Sequence, residues 1–321
     1  MKSPNILAVG GAHVDRRGQV SGVYVPGASN PGTMREDVGG GVFNALRDAI
    51  RRGAKASLMS VRGGDAAGEM VARAIAEEGI LDLSAVFLDR TTPSYTAILD
   101  REGDVITGFA DMMLYELAFP KQMRRSKLRE AVTSADAIMC DANLPAEALR
   151  SLVGAAAGKP VFVVAVSPAK VVRLSGLLSD LSCLFMNRRE IRALAETDDT
   201  DIAAAIQALR QRGLARGVVT AGESSVIGFD GDELFAITPP PARKVVDVTG
   251  AGDALAGATT VAMLRSLPLR AALREGVAAA VLAVESDKSV PDLSAKEFAA
   301  VLSLVPEAED MHLGASTGDI S

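Results

Sequence analysis

Residues 247–257 read DVTGAGDALAG, placing three glycines and two aspartates directly ahead of the apolar pattern ALAGATTVAML. Gly250, Ala251 and Gly252 carry almost no side chain, so the backbone there can turn sharply and leave successive N–H groups pointing outward where a helix begins. Such a turn is an anion hole. Asp253 on the first helical turn is unexpected beside bound phosphate, unless its carboxylate takes a proton from an attacking hydroxyl. An aspartate that merely caps a helix after a glycine loop gives the same letters. This stretch alone leaves both readings open.

The elements around it decide how such a site would be held. The chain has 321 residues, 48% of them hydrophobic, enough for one large α/β domain or two smaller ones. Short apolar runs (NILAVGG, ASLMSVRG, AIMCDAN, PVFVVAV, CLFMN, RGVVTAG) alternate with Ala-rich helical patterns such as GEMVARAIAEEG. That alternation predicts a mainly parallel sheet between helices, over about residues 1–305. Two insertions break the rhythm, at about 16–38 and 90–111. RRGQVSGVYVPG alternates polar and apolar residues, and SYTAILDREGDVITGFA reads as two strands turning at Arg101 to Asp104. They predict a small separate sheet. A second hairpin, turning at Asp230 and Gly231, is expected at the main sheet's edge. The Glu-, Asp-, Gly- and Ser-rich residues 306–321 read as a loose tail.

Composition narrows the partners. The net charge of −6, the absence of Trp and the presence of only three Tyr argue against nucleic acid. Cys140 and Cys183 sit in apolar runs without a CxxC or His companions, which suits buried thiols in a reducing compartment. No stretch approaches the ~20 apolar residues of a membrane span, and MKSPNILAVGG enters a strand at once. A cytoplasmic location without membrane contact is the expectation.

The common nucleotide motifs are missing. GAAAGKP, 154–160, has the wrong spacing for a phosphate loop, and Pro160 stands where a hydroxyl is needed, so it reads as a helix end. AVGGAHVD lacks G-x-G-x-x-G. His13 has no evident partner and reads as packing or a hydrogen bond. Lys170, after PVFVVAV, is either a cation for phosphate or a solvated lysine. Arg16, Arg17 and Arg62 suit either surface solubility or a phosphorylated sugar.

Taken together, these residues carry a resemblance. VVDVTGAGDALAGA is similar to the D-T-G-A-G-D signature of the ribokinase-like, PfkB-type carbohydrate kinases, and the resemblance covers nearly the whole chain. It implies a three-layer α/β/α fold with a small β-sheet lid. It assigns Asp253 as base, with the N–H groups of Gly250, Ala251 and Gly252 around the transferred phosphoryl. GGAHVD and GGGVFNAL resemble the sugar-binding elements, implying that Asp15, Gly39, Gly40 and Asn44 hold acceptor hydroxyls. MNRREI fits the family's N-x-x-E element, so Asn187 and Glu190 would organise Mg2+ through water. VVTAGESSVIG implies that Thr220 and Gly222 meet the nucleotide, with Thr249 and Lys170 beside them. Val248, where many members have Thr, and Val42, where a glycine is frequent, depart from the pattern. The second departure bears on the loop's path.

ASNPG, TPSYTAILDREGDVITGFADM, DANLPAEAL, VSPAK and VPDLS resemble pseudouridine kinases more than ribokinase, adenosine kinase or phosphofructokinase relatives. The implied reaction is ATP-dependent phosphorylation of a nucleoside 5′-hydroxyl. Asn30 and Asn143 are the candidates for the base edge, though Asn30 before Pro31 is equally a standard turn pair. The implied cofactors are ATP and Mg2+, with a monovalent cation such as K+ left open. A homodimer through the lid is also implied. Another sugar or phosphosugar kinase is the alternative. A non-catalytic sensor would need the pocket but not Asp253.

Overall fold

Runs such as AIMCD and VFVV are apolar at nearly every position, so neither strand face can meet water and helices must cover both. The computed structural model describes residues 3–197, 201–286, 290–291 and 294–311. Among these the first strands are β1 (Asn5–Val9), β2 (His13–Val20), β3 (Gly32–Gly39), β4 (Lys55–Met59), β5 (Val61–Gly63), β6 (Leu81–Asp82), β7 (Ala85–Phe87), β8 (Ser94–Leu99) and β9 (Val105–Asp111). There follow β10 (Ala137–Asp141), β11 (Val161–Val164), β12 (Cys183–Asn187), β13 (Arg216–Thr220), β14 (Val226–Asp230), β15 (Glu233–Ile237) and β16 (Glu309–Asp310). The helices are α1 (Gly41–Arg51), α2 (Ala66–Glu77), α3 (Met113–Gln122), α4 (Ser126–Ser134), α5 (Ala146–Ala155), α6 (Pro168–Val171), α7 (Arg188–Ala195), α8 (Ile202–Gln211), α9 (Ala251–Leu264), α10 (Leu269–Val284) and α11 (Ala295–Leu302).

The main sheet runs β16-β15-β14-β13-β12-β11-β10-β1-β4-β6. It is parallel from β13 to β6 and antiparallel from β13 to β16. The period of two along β1 sorts its residues between two cores. Ile6 and Ala8 pack with Leu46, Ile75, Val261, Leu273 and Phe298 from α1, α2, α9, α10 and α11. Leu7 and Val9 pack with Phe119, Leu128, Leu149, Leu194 and Ile206 from α3, α4, α5, α7 and α8. The expected three-layer α/β/α architecture is present. Its hairpin β14–β15 turns at Gly231, whose φ is 55°.

The small sheet is also present, in the order β3-β2-β8-β9. Its first strand differs from expectation: β2 begins at His13 and ends at Val20, while residues 21–31 form a loop closed by Ser21 N–H to Pro31 O at 2.9 Å. The alternation in VSGVYVPG builds no strand there, and Val23 is 85% exposed. Of the expected tail, Glu309 and Asp310 pair with Ala236 and Phe235 and so extend the main sheet. Residues 312–321, and Asp292 and Leu293 of VPDLS, lie outside the described residues.

Candidate active site

In a parallel sheet the strand ends all open on one side, and there the loops gather. Asp141, Asn187 and Thr220 are the last residues of β10, β12 and β13, and Gly10 and Gly11 follow β1. Helices α1 and α9 begin at the same region, because Asn44 Nδ2 donates to Asp253 Oδ2 at 3.0 Å across 209 residues of sequence.

The signature segment turns sharply, as expected, although Ala251 N–H lies 3.4 Å from Val248 O, within the turn itself. Gly250, the residue before α9, adopts φ 80°, a left-handed conformation that a side chain would strain. Asp253 lies in the first turn of α9 and no side chain caps that helix, so the capping alternative does not describe it. Burial pushes its carboxyl up to about 7, and nearby Asp141, Asp15 and Glu190 add to this against the lowering effect of the Asn44 hydrogen bond. A carboxylate poised there is a base matched to neutral pH. Asn44 Oδ1 is buried and has no partner among the described atoms. Since a carboxylate oxygen accepts, the amide nitrogen of Asn44 is committed to Asp253, and its oxygen remains free to accept a hydroxyl.

The two glycines before α1 are required by close approach. A Cβ on Gly40, whose φ is 126°, would lie 2.2 Å from Gly11 O, and one on Gly39 would lie 2.1 Å from Asp15 Oδ2. Asp15 is on β2, facing His13 Nε2 at 3.3 Å. His13 Nδ1 lies 3.1 Å from Tyr115 Oη. Tyr115 is fully buried and its pKa is raised well above the usual phenol value, chiefly by burial, so its O–H stays a donor. Tyr115 Oη and the Asp15 carboxylate flank the two ring nitrogens of His13. The partner that sequence reading did not find for His13 is thus Tyr115, 102 residues away.

Asp141 was also missed. It is fully buried and accepts from Gly11 N–H and Val42 N–H at 3.1 Å each, and from Asn143 N–H and Nδ2 at 3.0 Å each. A single carboxylate therefore fixes the β1 loop, the start of α1 and Asn143. Its one visible signal was an acidic letter closing an otherwise apolar strand, AIMCD. Lys170 Nζ donates to Asn143 Oδ1 at 2.6 Å, and burial lowers its pKa. This bond joins Lys170, expected beside the nucleotide, to Asn143, expected at the acceptor's base edge.

On the other flank, Asn187 and Glu190 form a capping box for α7: Asn187 Oδ1 accepts from Glu190 N–H at 3.0 Å, and Glu190 Oε2 accepts from Asn187 N–H at 2.7 Å. Thr220 Oγ1 lies 3.5 Å from Met186 O, and Gly222 turns with φ 65°. Thr249 N–H donates to Asp247 Oδ1 at 2.8 Å. No group of three or more His, Cys, Asp or Glu among the described residues could cage a metal ion. The arrangement suits a magnesium ion held mainly by phosphate oxygens and water, with Glu190 as the protein carboxylate nearby.

Several candidates lie elsewhere. Asn30 is at the base of the 21–31 loop, next to Pro31, where its Oδ1 accepts from Val25 N–H and its Nδ2 donates to Val25 O and Ala28 O. The turn reading describes it. Arg16 pairs with Glu36 and Arg62 with Asp82, whereas Arg17 reaches the signature segment itself and pairs with Asp247. Lys159 Nζ bonds Thr133 O at 2.6 Å, as a lysine at a helix end does. Cys140 and Cys183 are free, buried thiols whose pKa burial raises. No helix among the described residues is long and apolar enough to cross a membrane.

Comparison with known proteins places this geometry. Residues 3–295 match the pfkB family carbohydrate kinase model. A carbohydrate kinase from Agrobacterium tumefaciens is 45% identical, superposes with a TM-score of 0.84, and the match covers 96% of this chain and all of that one. The pseudouridine kinase of Escherichia coli (strain K12) is 29% identical over 310 residues, covering 95% of this chain and 97% of that protein. Arabidopsis thaliana ribokinase complexed with ribose and ATP shares the fold, with a TM-score of 0.82 at 23% identity over 94% of this chain and 99% of that one.

Proposed function

The chain belongs to the pfkB family of carbohydrate kinases, and within it we propose that it transfers the γ-phosphoryl group of ATP to the 5′-hydroxyl of a nucleoside, with pseudouridine as the acceptor. The observation that carries the reading is the state of Asn44: one end of its amide holds the base Asp253, and the other is a buried acceptor without a partner. An unsatisfied buried oxygen costs stability, and a ligand hydroxyl donating to it would offset that cost. The family implies ATP as donor. The likeness to pseudouridine kinase over nearly the full length supports the nucleoside, and the Asp141–Asn143–Lys170 cluster supplies polar groups for a base edge.

In this reading Asp15 and Asn44 hold ribose hydroxyls, with Asp15 oriented through His13 and Tyr115. Asp253 accepts the proton of the 5′-hydroxyl as that oxygen bonds to the γ-phosphorus and the bond to the β–γ bridging oxygen breaks, releasing ADP. The N–H groups of Gly250, Ala251, Gly252 and Asp253 stabilise the charge on the phosphoryl oxygens, and most of the acceleration comes from such positioning and fixed dipoles. Asn187, Thr220, Gly222 and Thr249 line the nucleotide flank. Magnesium, when bound, neutralises phosphate charge, with Glu190 organising its water. The small sheet acts as a lid that excludes water, and its outer face pairs with a second copy. Incubating the protein with ATP and pseudouridine and reading the product by 31P NMR tests the reaction directly. A new phosphomonoester coupled to the two 5′ protons is expected; ATP left intact, or hydrolysed to ADP and inorganic phosphate without that phosphomonoester, removes the proposal.

A further inference from the structure

Arg17 and Asp247 stand 230 residues apart in sequence and belong to the two halves of the site. Arg17 is on β2, two residues beyond Asp15, so the period of a strand sets both on the same face of the small sheet. Its Nη1 donates to Asp247 Oδ2. The second oxygen of that carboxylate, Oδ1, accepts the N–H of Thr249 at 2.8 Å, one residue before the left-handed Gly250. Val246 and Asp247 N–H hold the entry to this turn by donating to Val284 O at 2.9 and 3.4 Å, but little side-chain packing adds to this, since Val245 and Val248 are 70% and 68% exposed. Arg17 and Asp247 also line a cavity of about 1070 Å³ between the small sheet and α1 and α2. The pair therefore bridges a seam across which the small sheet meets the body.

We propose that Arg17 is a positioning residue that sets the anion-hole turn through Asp247, so that the acceptor-binding strand and the phosphate-binding turn are placed together. The proposal rests on the phosphotransferase reading of the Gly250–Asp253 turn. Arg17 and Asp247 are 31% and 29% exposed, and a pair so open to water adds little to stability. Its effect on rate is another matter. Donors that stabilise a transferring phosphoryl group must sit where charge develops, and small misplacements slow the reaction disproportionately. Without the pair, Thr249 and Gly250 are held only through the backbone bonds of their own segment to Val284 and no longer follow β2.

Arg17→Ala and Asp247→Asn test the pair singly and together, because Asp247→Asn keeps an oxygen for Thr249 N–H while removing the charge. With ATP, Mg2+ and whichever acceptor the enzyme phosphorylates, each single variant is expected to lower kcat about ten-fold. KM for ATP should stay within about two-fold and the melting temperature should not move. The double variant should be no slower than the slower single one, and Arg17→Lys should recover part of the loss. Without any ligand, amide hydrogen exchange at Thr249 should quicken in Arg17→Ala. A wild-type protein that phosphorylates no acceptor defeats the phosphotransferase reading, and exchange at Thr249 still decides the tie. Unchanged kcat, losses that multiply in the double variant, or unchanged exchange at Thr249 each overturn the proposal.

Discussion

In the proposed reaction Asp253 is the base, and its protonation gives the sharpest residue-level expectation. With a folded pKa of about 7 against an ordinary value of 3.8, it is a competent base only above neutral pH. kcat/KM for the acceptor should therefore rise with pH to a plateau above about 7. Asp253→Asn should cut kcat by at least ~10²-fold and abolish that rise, as loss of a general base does. The stability sign follows from the same shift. The folded state binds the Asp253 proton more tightly than the unfolded chain, so the wild type loses stability relative to Asp253→Asn as pH climbs from about 4 to about 7, and no further. Melting temperatures of both proteins across that range check it, and a constant difference contradicts it. Asp48 is buried in α1 with its pKa likewise pushed to about 7, but it is common to both proteins and cancels in the comparison. Asn44→Ala and Asp15→Ala should weaken acceptor binding by ~1–3 kcal/mol each, by leaving ribose hydroxyls without a buried partner. Calorimetry with ATP alone should show unchanged affinity; a loss for both ligands would make these residues structural.

At the scale of elements, the small sheet presents two different faces. Asp15 and Arg17 face inward, while cross-strand register sets Gly18, Met34, Thr96 and Phe109 on the opposite face. Met34 and Phe109 are 56% and 70% exposed there, an apolar face that a second copy would cover. Phe109→Glu should convert a dimer to a monomer in sedimentation velocity and raise acceptor KM, whereas a wild-type monomer would remove the dimer proposal. The existence of this sheet was legible because two insertions break an α/β rhythm and one carries a hairpin turn. The path of residues 21–31 was not, because alternation specifies a strand only where one face is buried, and Val23 and Val25 meet water. The same limit applies to Glu309 and Asp310, whose pairing with β15 depends on an open sheet edge that no local pattern announces.

Across the whole molecule, what sequence reading captured was local: strand and helix periods, the glycine turn at 250–252, and motifs whose residues are neighbours in the chain. What it missed joins distant segments. Asp141 binds Gly11 and Val42 across 130 and 99 residues, His13 finds Tyr115, and Arg17 finds Asp247. Each is an interaction that only the closed sheet brings together, and each lies on the side of the sheet where the site forms. The first two tie together the β1 loop, the start of α1, β2 and α3, and the third ties β2 to the signature segment; under the proposed function, this frame selects the acceptor. The most direct test measures kcat/KM with ATP for pseudouridine, uridine, ribose and fructose 6-phosphate side by side. Pseudouridine carries a ring N–H that uridine lacks, and a buried acceptor such as Asn143 discriminates through it, so at least ~10-fold preference over uridine is expected. Equal efficiency on uridine, or a preference for the phosphosugar, would contradict the account.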